Sequence, residues 1–212
     1  YPTRGGSLSI VYFLRTCSKA LECFIKNGIN NTRVSEIAAE SGLTQRSVFR
    51  YFPSKDDIVI AAAFCYWERT KAYIARELRR HTDDAQTGIE QINIILNSYA
   101  NMLFVDPEGI RFSLDAEVAL YSVGKNAHVI NRPPERYEAY KGPLSQAVRR
   151  GLADGTVDPG ANIKQLYYNA YDSILGMMQC LTVGVPSVSE LDAHERLESM
   201  CAMFTREFAA KK

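Results

Sequence analysis

An all-α fold, with a small three-helix head ahead of a larger helical body, is what this sequence predicts. Three observations carry that expectation. Apolar residues recur at spacings of three and four along the chain, the period of an amphipathic helix and not of a strand. Capping residues, glycines and prolines punctuate those runs where helices would start and stop. Charge is divided unevenly: residues 1–55 hold eight Lys/Arg against three Glu, a net of +5, while the whole 212-residue chain nets only +1. A basic head on a mildly acidic body points to a head that meets a polyanion.

The first helix is expected from about Ser7 to Asn27. Ile10, Phe13, Leu14, Cys17, Leu21 and Phe24 form its apolar stripe, and Gly28 stands where a C-terminal glycine would. A second begins near Arg33, carries Val34, Ile37 and Ala38 on one face, and ends at Gly42. A third, very short, runs from about Gln45 to Tyr51 behind Thr44 as N-cap. Pro53 breaks the run, because a residue before proline resists the helical region. Ser54 with Asp57 then reads as a capping box opening a fourth helix, which continues through Phe64 and Trp67 towards Leu78. The domain boundary is therefore placed at Pro53, with residues 1–53 as the head and 54–212 as the body.

In the body, Asp106-Pro107 and Asp158-Pro159 each read as a cap followed by proline at the first helical position. Ser187 with Glu190 reads as a further capping box, and Gly142-Pro143 should kink or split a helical pattern spanning 134–153. About nine helices result, with no repeat and no low-complexity linker.

Several function classes find no support in the sequence. The five cysteines are odd in number and scattered, without CxxC or zinc-ligand spacing, as in a cytosolic protein with reduced thiols. There is no G-x-S-x-G elbow, no Gly-rich phosphate loop and no H-E-x-x-H, and the three histidines stand far apart. Neither enzyme, cofactor nor metal is expected. LSIVYFL, residues 8–14, is too short to span a bilayer, and Arg15 breaks any lipoprotein-like signal before Cys17. A cytoplasmic chain without a membrane segment is the expectation. Because the chain opens at Tyr1 and not Met, an N-terminal arm is expected to precede it.

LTQRSVFRYFPSKDD, residues 43–57, interleaves rings and cations. Helix, glycine bend and short helix over 34–51 form a helix-turn-helix, whose second helix enters the major groove. Val34, Ile37, Ala38, Leu43, Val48 and Phe52 supply the crossing core. Thr44, Gln45, Arg46, Ser47, Arg50 and Tyr51 remain outside, all able to hydrogen-bond to bases or phosphates. No acid lies between Leu43 and Lys55, as a phosphate-facing surface requires.

ALECFIKNG (20–28) followed by TRVSEIAAESGLTQRSVFRYFPSKDDI (32–58) resembles the head of the TetR/AcrR family. The resemblance covers about residues 14–60. It implies an all-helical bacterial regulator, in most members a repressor, that binds operator DNA as a homodimer. It also implies a small-molecule effector held in the C-terminal body, and no catalytic role. By position, Thr32 and Arg33 fall at phosphate contacts and Ser35 where some members reach a base. Thr44, Gln45, Arg46 and Ser47 fall at the reading start of the recognition helix, and Tyr51 and Lys55 at phosphate contacts. Phe49 replaces the family's usual tyrosine at its DNA-facing position and so lacks a hydroxyl. Arg46 replaces a small residue, and its charge either compensates for that loss or adds a base contact.

For the body, Trp67, Tyr99, Met102, Phe112, Tyr121, Tyr168, Tyr171 and Met178 are the candidates for lining a site for a small hydrophobic or aromatic ligand, set against a plain core role. The wide stripes on the last two helices suit a homodimer interface. The alternative is a DNA-binding adaptor whose body docks a protein partner.

Overall fold

The computed structural model describes residues 7–81, 86–124, 137, 141–183 and 192–211. They form ten α-helices: α1 Ser7–Asn27, α2 Val34–Glu40, α3 Gln45–Tyr51, α4 Lys55–His81, α5 Gly88–Ala100, α6 Met102–Val105, α7 Pro107–Ser122, α8 Pro143–Asp154, α9 Ile163–Thr182 and α10 Ala193–Phe208. The one β-pairing among these residues is a single bridge between Val157 and Ala209. No helix among them is long and apolar enough to cross a membrane.

Two units share the helices, Tyr1–Arg69 with Arg111–Arg132 and Thr70–Ile110 with Pro133–Lys212. The division falls inside α4 and α7 and not at Pro53. The first four turns of α4 carry Ile58, Val59, Ala62, Ala63, Tyr66 and Trp67, all buried, so they complete the core under the head.

In the first unit α1 buries Cys17, Ala20, Leu21 and Phe24. The predicted stripe does not hold over its first turns, where Ile10 and Leu14 are 50% and 59% exposed. Phe24 stacks on Phe112 at 6.2 Å, and Tyr66 meets Phe112 and Trp67 edge-on at 6.2 and 4.9 Å. Offset and edge-on geometries of this kind suit the ring quadrupoles. The capping box is formed as expected: the Ser54 backbone N–H donates to the Asp57 carboxylate (3.0 Å), and the Asp57 N–H to Ser54 Oγ (3.2 Å).

The second unit is built around α5, which packs on α8, α9 and α10 and buries Ile92, Ile95, Leu96 and Tyr99. Its N-terminus is secured twice. Thr87 and Glu90 form a capping box, and the Gly88 N–H donates to Asp154 Oδ2 (2.7 Å) at the end of α8. Burial acts to raise the Asp154 pKa, but bonds from the Thr156 hydroxyl, the Gly88 N–H and the Thr156 N–H outweigh it and hold the carboxyl below its usual value. The two backbones approach closely here: a Cβ on Gly88 would lie 2.0 Å from Gly151 N.

One sequence expectation is corrected in this unit. Asp158-Pro159 does not open a helix, because the chain before it is held extended against the end of α10. The Asp158 N–H donates to the Phe208 carbonyl (3.0 Å) and the Ala210 N–H to the Thr156 carbonyl (2.9 Å). Asp158 Oδ1 instead accepts from the Gly160 N–H (2.8 Å) in a turn, and α9 starts behind Asn162, whose Oδ1 accepts from Gln165 N (3.3 Å). Pro143 starts α8 at its first position behind Gly142, as a split at Gly142-Pro143 requires; residues 134–136 and 138–140 of the expected pattern lie outside the described residues. The Ser187–Glu190 box lies outside the described residues; Asp192 caps α10, accepting from Glu195 N at 2.8 Å.

Gly88→Ala should destabilise by the upper end of the ~1–3 kcal/mol typical of overpacking, since the added methyl meets backbone that cannot rotate away. Urea unfolding of both proteins checks this; an unchanged midpoint would refute the close approach of α5 and α8.

Candidate nucleic-acid interface

The head turns on Gly42, whose φ of +66° is open to glycine at little cost. The Leu43 N–H reaches back to the Ala38 carbonyl (2.9 Å) and the Gly42 N–H to that of Ala39 (3.0 Å), closing α2 with a left-handed cap. Beneath the crossing, Ile37, Ala38, Val48 and Phe52 are buried, while Val34 and Leu43 are half-buried. Phe13 of α1 stacks on Phe52 at 5.0 Å.

What this packing leaves outside is the predicted reading surface. Thr44 Oγ1 accepts from Ser47 N (3.2 Å) and lies 2.9 Å from Ser47 Oγ, so the threonine is the N-cap of α3. Gln45, Arg46 and Arg50 are exposed, as is Phe49 at 40%. The Arg50 guanidinium sits 5.3 Å over the ring of half-buried Tyr51 and donates to its hydroxyl at 3.4 Å. Lys55 Nζ donates to the Asn30 carbonyl at 3.3 Å. At the start of α2, Arg33 and Ser35 are exposed, and the Arg33 N–H donates to Glu36 Oε2 at 3.0 Å. Thr32 is placed differently. It is buried, and its hydroxyl bonds inward to the carbonyls of Gly28 (2.8 Å) and Cys23 (3.2 Å), fixing the entry to α2 instead of facing outward.

The eight body residues are scattered. Trp67 and Phe112 are buried in the aromatic cluster of the first unit, and Trp67 Nε1 has no hydrogen-bond partner among the described residues. In the second unit Tyr99 and Tyr167 pack edge-on to Tyr171, and half-buried Tyr168 accepts from the Tyr137 N–H at 3.2 Å. Met102 and Met178 are buried, and Tyr121 is 83% exposed.

None of these eight lines a groove of the second unit, an open space of about 480 Å³ between α4, α5 and α10. Its walls mix polar side chains, Tyr73, Glu77 and His81 from α4, Asn93 and Asn97 from α5, Asn101 at the C-cap of α5, and His194 and Glu198 from α10, with apolar ones from Ile94, Ala100, Phe104, Leu197 and Ala202. Sequence reasoning missed it, although three asparagines four apart were visible. No cluster of metal-ligating side chains occurs among the described residues.

A glycine-bent helix pair that offers a short, acid-free, basic helix over a packed core defines a helix-turn-helix DNA-binding regulator. Comparison with known proteins agrees. Residues 18–62 match the family described as bacterial regulatory proteins, tetR family. The fatty acid metabolism regulator protein of Bacillus subtilis is 20% identical over 152 residues, 72% of this chain and 74% of that protein. Two solved structures share the fold. FadR of B. subtilis in complex with stearoyl-CoA has a TM-score of 0.60, 17% identity, and coverage of 92% of this chain and 99% of that one. FadR of Bacillus halodurans has a TM-score of 0.61, 16% identity, and coverage of 96% and 97%. The head, residues 18–62, is that of a TetR-family transcriptional regulator.

Because Thr44 caps α3, Thr44→Ala should lower unfolding free energy by about 1 kcal/mol, and Thr44→Ser should restore it. Chemical denaturation of the three proteins reads this; equal stability of all three would show that the bond does not hold the helix.

Proposed function

We propose that the chain is a cytoplasmic repressor that binds a palindromic operator as a homodimer and is released by a small hydrophobic or aromatic effector. The acid-free outer face of α3 is the observation that carries the DNA half of this reading. Gln45 and Arg46 stand at the start of α3 with no fold-internal duty, free to meet base edges; Arg33, Arg50 and Lys55 provide the charge for phosphates. Arg46 takes the base-contact role because it is exposed at the reading end. Thr44 and Ser47 act there as cap and hydroxyl pair, and Thr32 acts by holding the loop.

The dimer reading is supported by α9 and α10. Leu166, Met177 and Leu181 are only half-buried, Met203 is 46% exposed, and a Cβ at Gly176 would meet nothing within 4 Å. Such a surface gains from pairing with its own copy, and a two-headed dimer fits half-sites roughly 34–36 Å apart.

The effector reading is supported by the aromatic content of both units and by the acyl-CoA bound in the Bacillus neighbour. The partnerless N–H of Trp67 also favours it, since an unsatisfied buried donor costs about 1–3 kcal/mol that a ligand acceptor would recover. An effector acts through its differential affinity for two states, and α4, shared by both units, is the element on which that difference would bear. Exposed Val118 and Tyr121 on α7 favour the second reading, in which a protein docks on the body.

Footprinting on genomic fragments, with and without stearoyl-CoA, tests the reading. A protected palindrome is expected, and no preferred site at low salt would overturn it. Gln45→Ala and Arg46→Ala should change which bases are preferred, whereas Lys55→Ala should weaken all sequences and flatten the salt dependence by about one counterion. Equal losses on specific and random DNA for all three would reject these roles. Met177→Glu should yield monomers in sedimentation and abolish two-half-site protection; a stable dimer would move the interface elsewhere.

A further inference from the structure

We infer that the groove between α4, α5 and α10 is a binding site for a small organic cation rich in N–H donors, an amine or amidinium, separate from any apolar effector. Asn93 and Asn97 stand at i and i+4 on α5, and Asn101 follows at its C-cap. Asparagine is a poor helix former because its side chain competes for backbone bonds. Asn93 and Asn97 lie inside the helix, line an open space and add nothing to the core, which calls for another reason.

Their hydrogen-bond balance states the chemistry. Asn97 Nδ2 donates to the Asn93 carbonyl (2.9 Å) and to Asn93 Oδ1 (3.0 Å), and Asn101 Nδ2 donates to the Tyr73 hydroxyl (2.9 Å). The amide donors of these two are thereby engaged within the wall. The amide oxygens of Asn97 and Asn101 accept nothing among the described residues, so the wall offers acceptors.

The charges agree. Glu198 lines the groove, is exposed, and has no ion pair among the described residues. The nearby cations face another carboxylate: Arg80 Nη1 and Arg76 Nε lie 3.0 and 3.5 Å from Glu77, and Arg76 also sits over the Tyr73 ring at 5.3 Å. His81 lies 3.8 Å from Glu77 as well. Glu198 therefore remains as the carboxylate for an incoming cation. One turn before it, His194 stacks on Phe104 at 5.0 Å, giving an aromatic edge for the apolar part of the ligand. A space of about 480 Å³ admits a molecule of that size, and Glu198 sets its preference for a cation.

Benzamidine and benzoate share a shape and differ in charge and in donor count, so they test the site on the full chain by calorimetry. Benzamidine should bind and benzoate should not. Glu198→Gln should weaken benzamidine by up to about tenfold, as loss of an exposed ion pair does. Glu207→Gln, on the same helix but outside the groove, should leave it unchanged. The His194 imidazole resonances should shift on titration with benzamidine alone. Equal binding of benzoate, no binding of benzamidine at millimolar concentration, unaltered affinity in Glu198→Gln, or an unmoved His194 would each overturn the assignment. Because binding is read directly, failure to find an operator would leave this result standing.

Discussion

The left-handed backbone at Gly42 is the constraint on which the exposed basic face of α3 depends. Seven residues of α3 are far too few to be helical alone, since helix nucleation is unfavourable and short helices are marginal in water. Three things hold it: the bend that brings it against α2, the cap from Thr44, and the burial of Val48 and Phe52. The bend favours glycine because any other side chain would be strained by the positive φ. Each residue held inward fixes the direction in which Gln45, Arg46 and Arg50 point outward.

That arrangement was legible in the sequence because its determinants are local. Gly42, Thr44, Pro53, and Ser54 with Asp57 act on neighbours within four positions, and each does in the structure what its chemistry dictates. Thr32 shows where local reading stops. Its hydroxyl bonds inward to Gly28 and to Cys23, nine residues back, and no motif position reveals which way a threonine turns.

The body was less legible for a physical reason. A stripe of rings at helical spacing looks the same whether it faces a core, a cavity or a second copy. Tyr171 and Tyr121 were equal candidates by type, yet one is packed among tyrosines and the other is 83% exposed. Asp158-Pro159 failed as a start signal because pairing with the end of α10, fifty residues away, fixed the chain as extended first. Close approach at Gly88 and Gly151 likewise depends on two segments that are remote in sequence.

Magnitudes separate the two kinds of ligand proposed for this protein. Driving a two-state regulator from almost wholly DNA-competent to almost wholly released takes about 5.5 kcal/mol of differential affinity. At ~25 cal/mol per Å², an apolar effector supplies that by burying roughly 220 Å² more surface in one state than in the other, well within reach of a long acyl chain. A bond to exposed Glu198 is worth about 1 kcal/mol, and only the part that differs between states counts. A cation in the groove can therefore bias the equilibrium by no more than about tenfold and cannot complete the transition alone. On these magnitudes a cation in the groove would set how much of the proposed apolar effector is needed, and only that proposed effector would empty the operator.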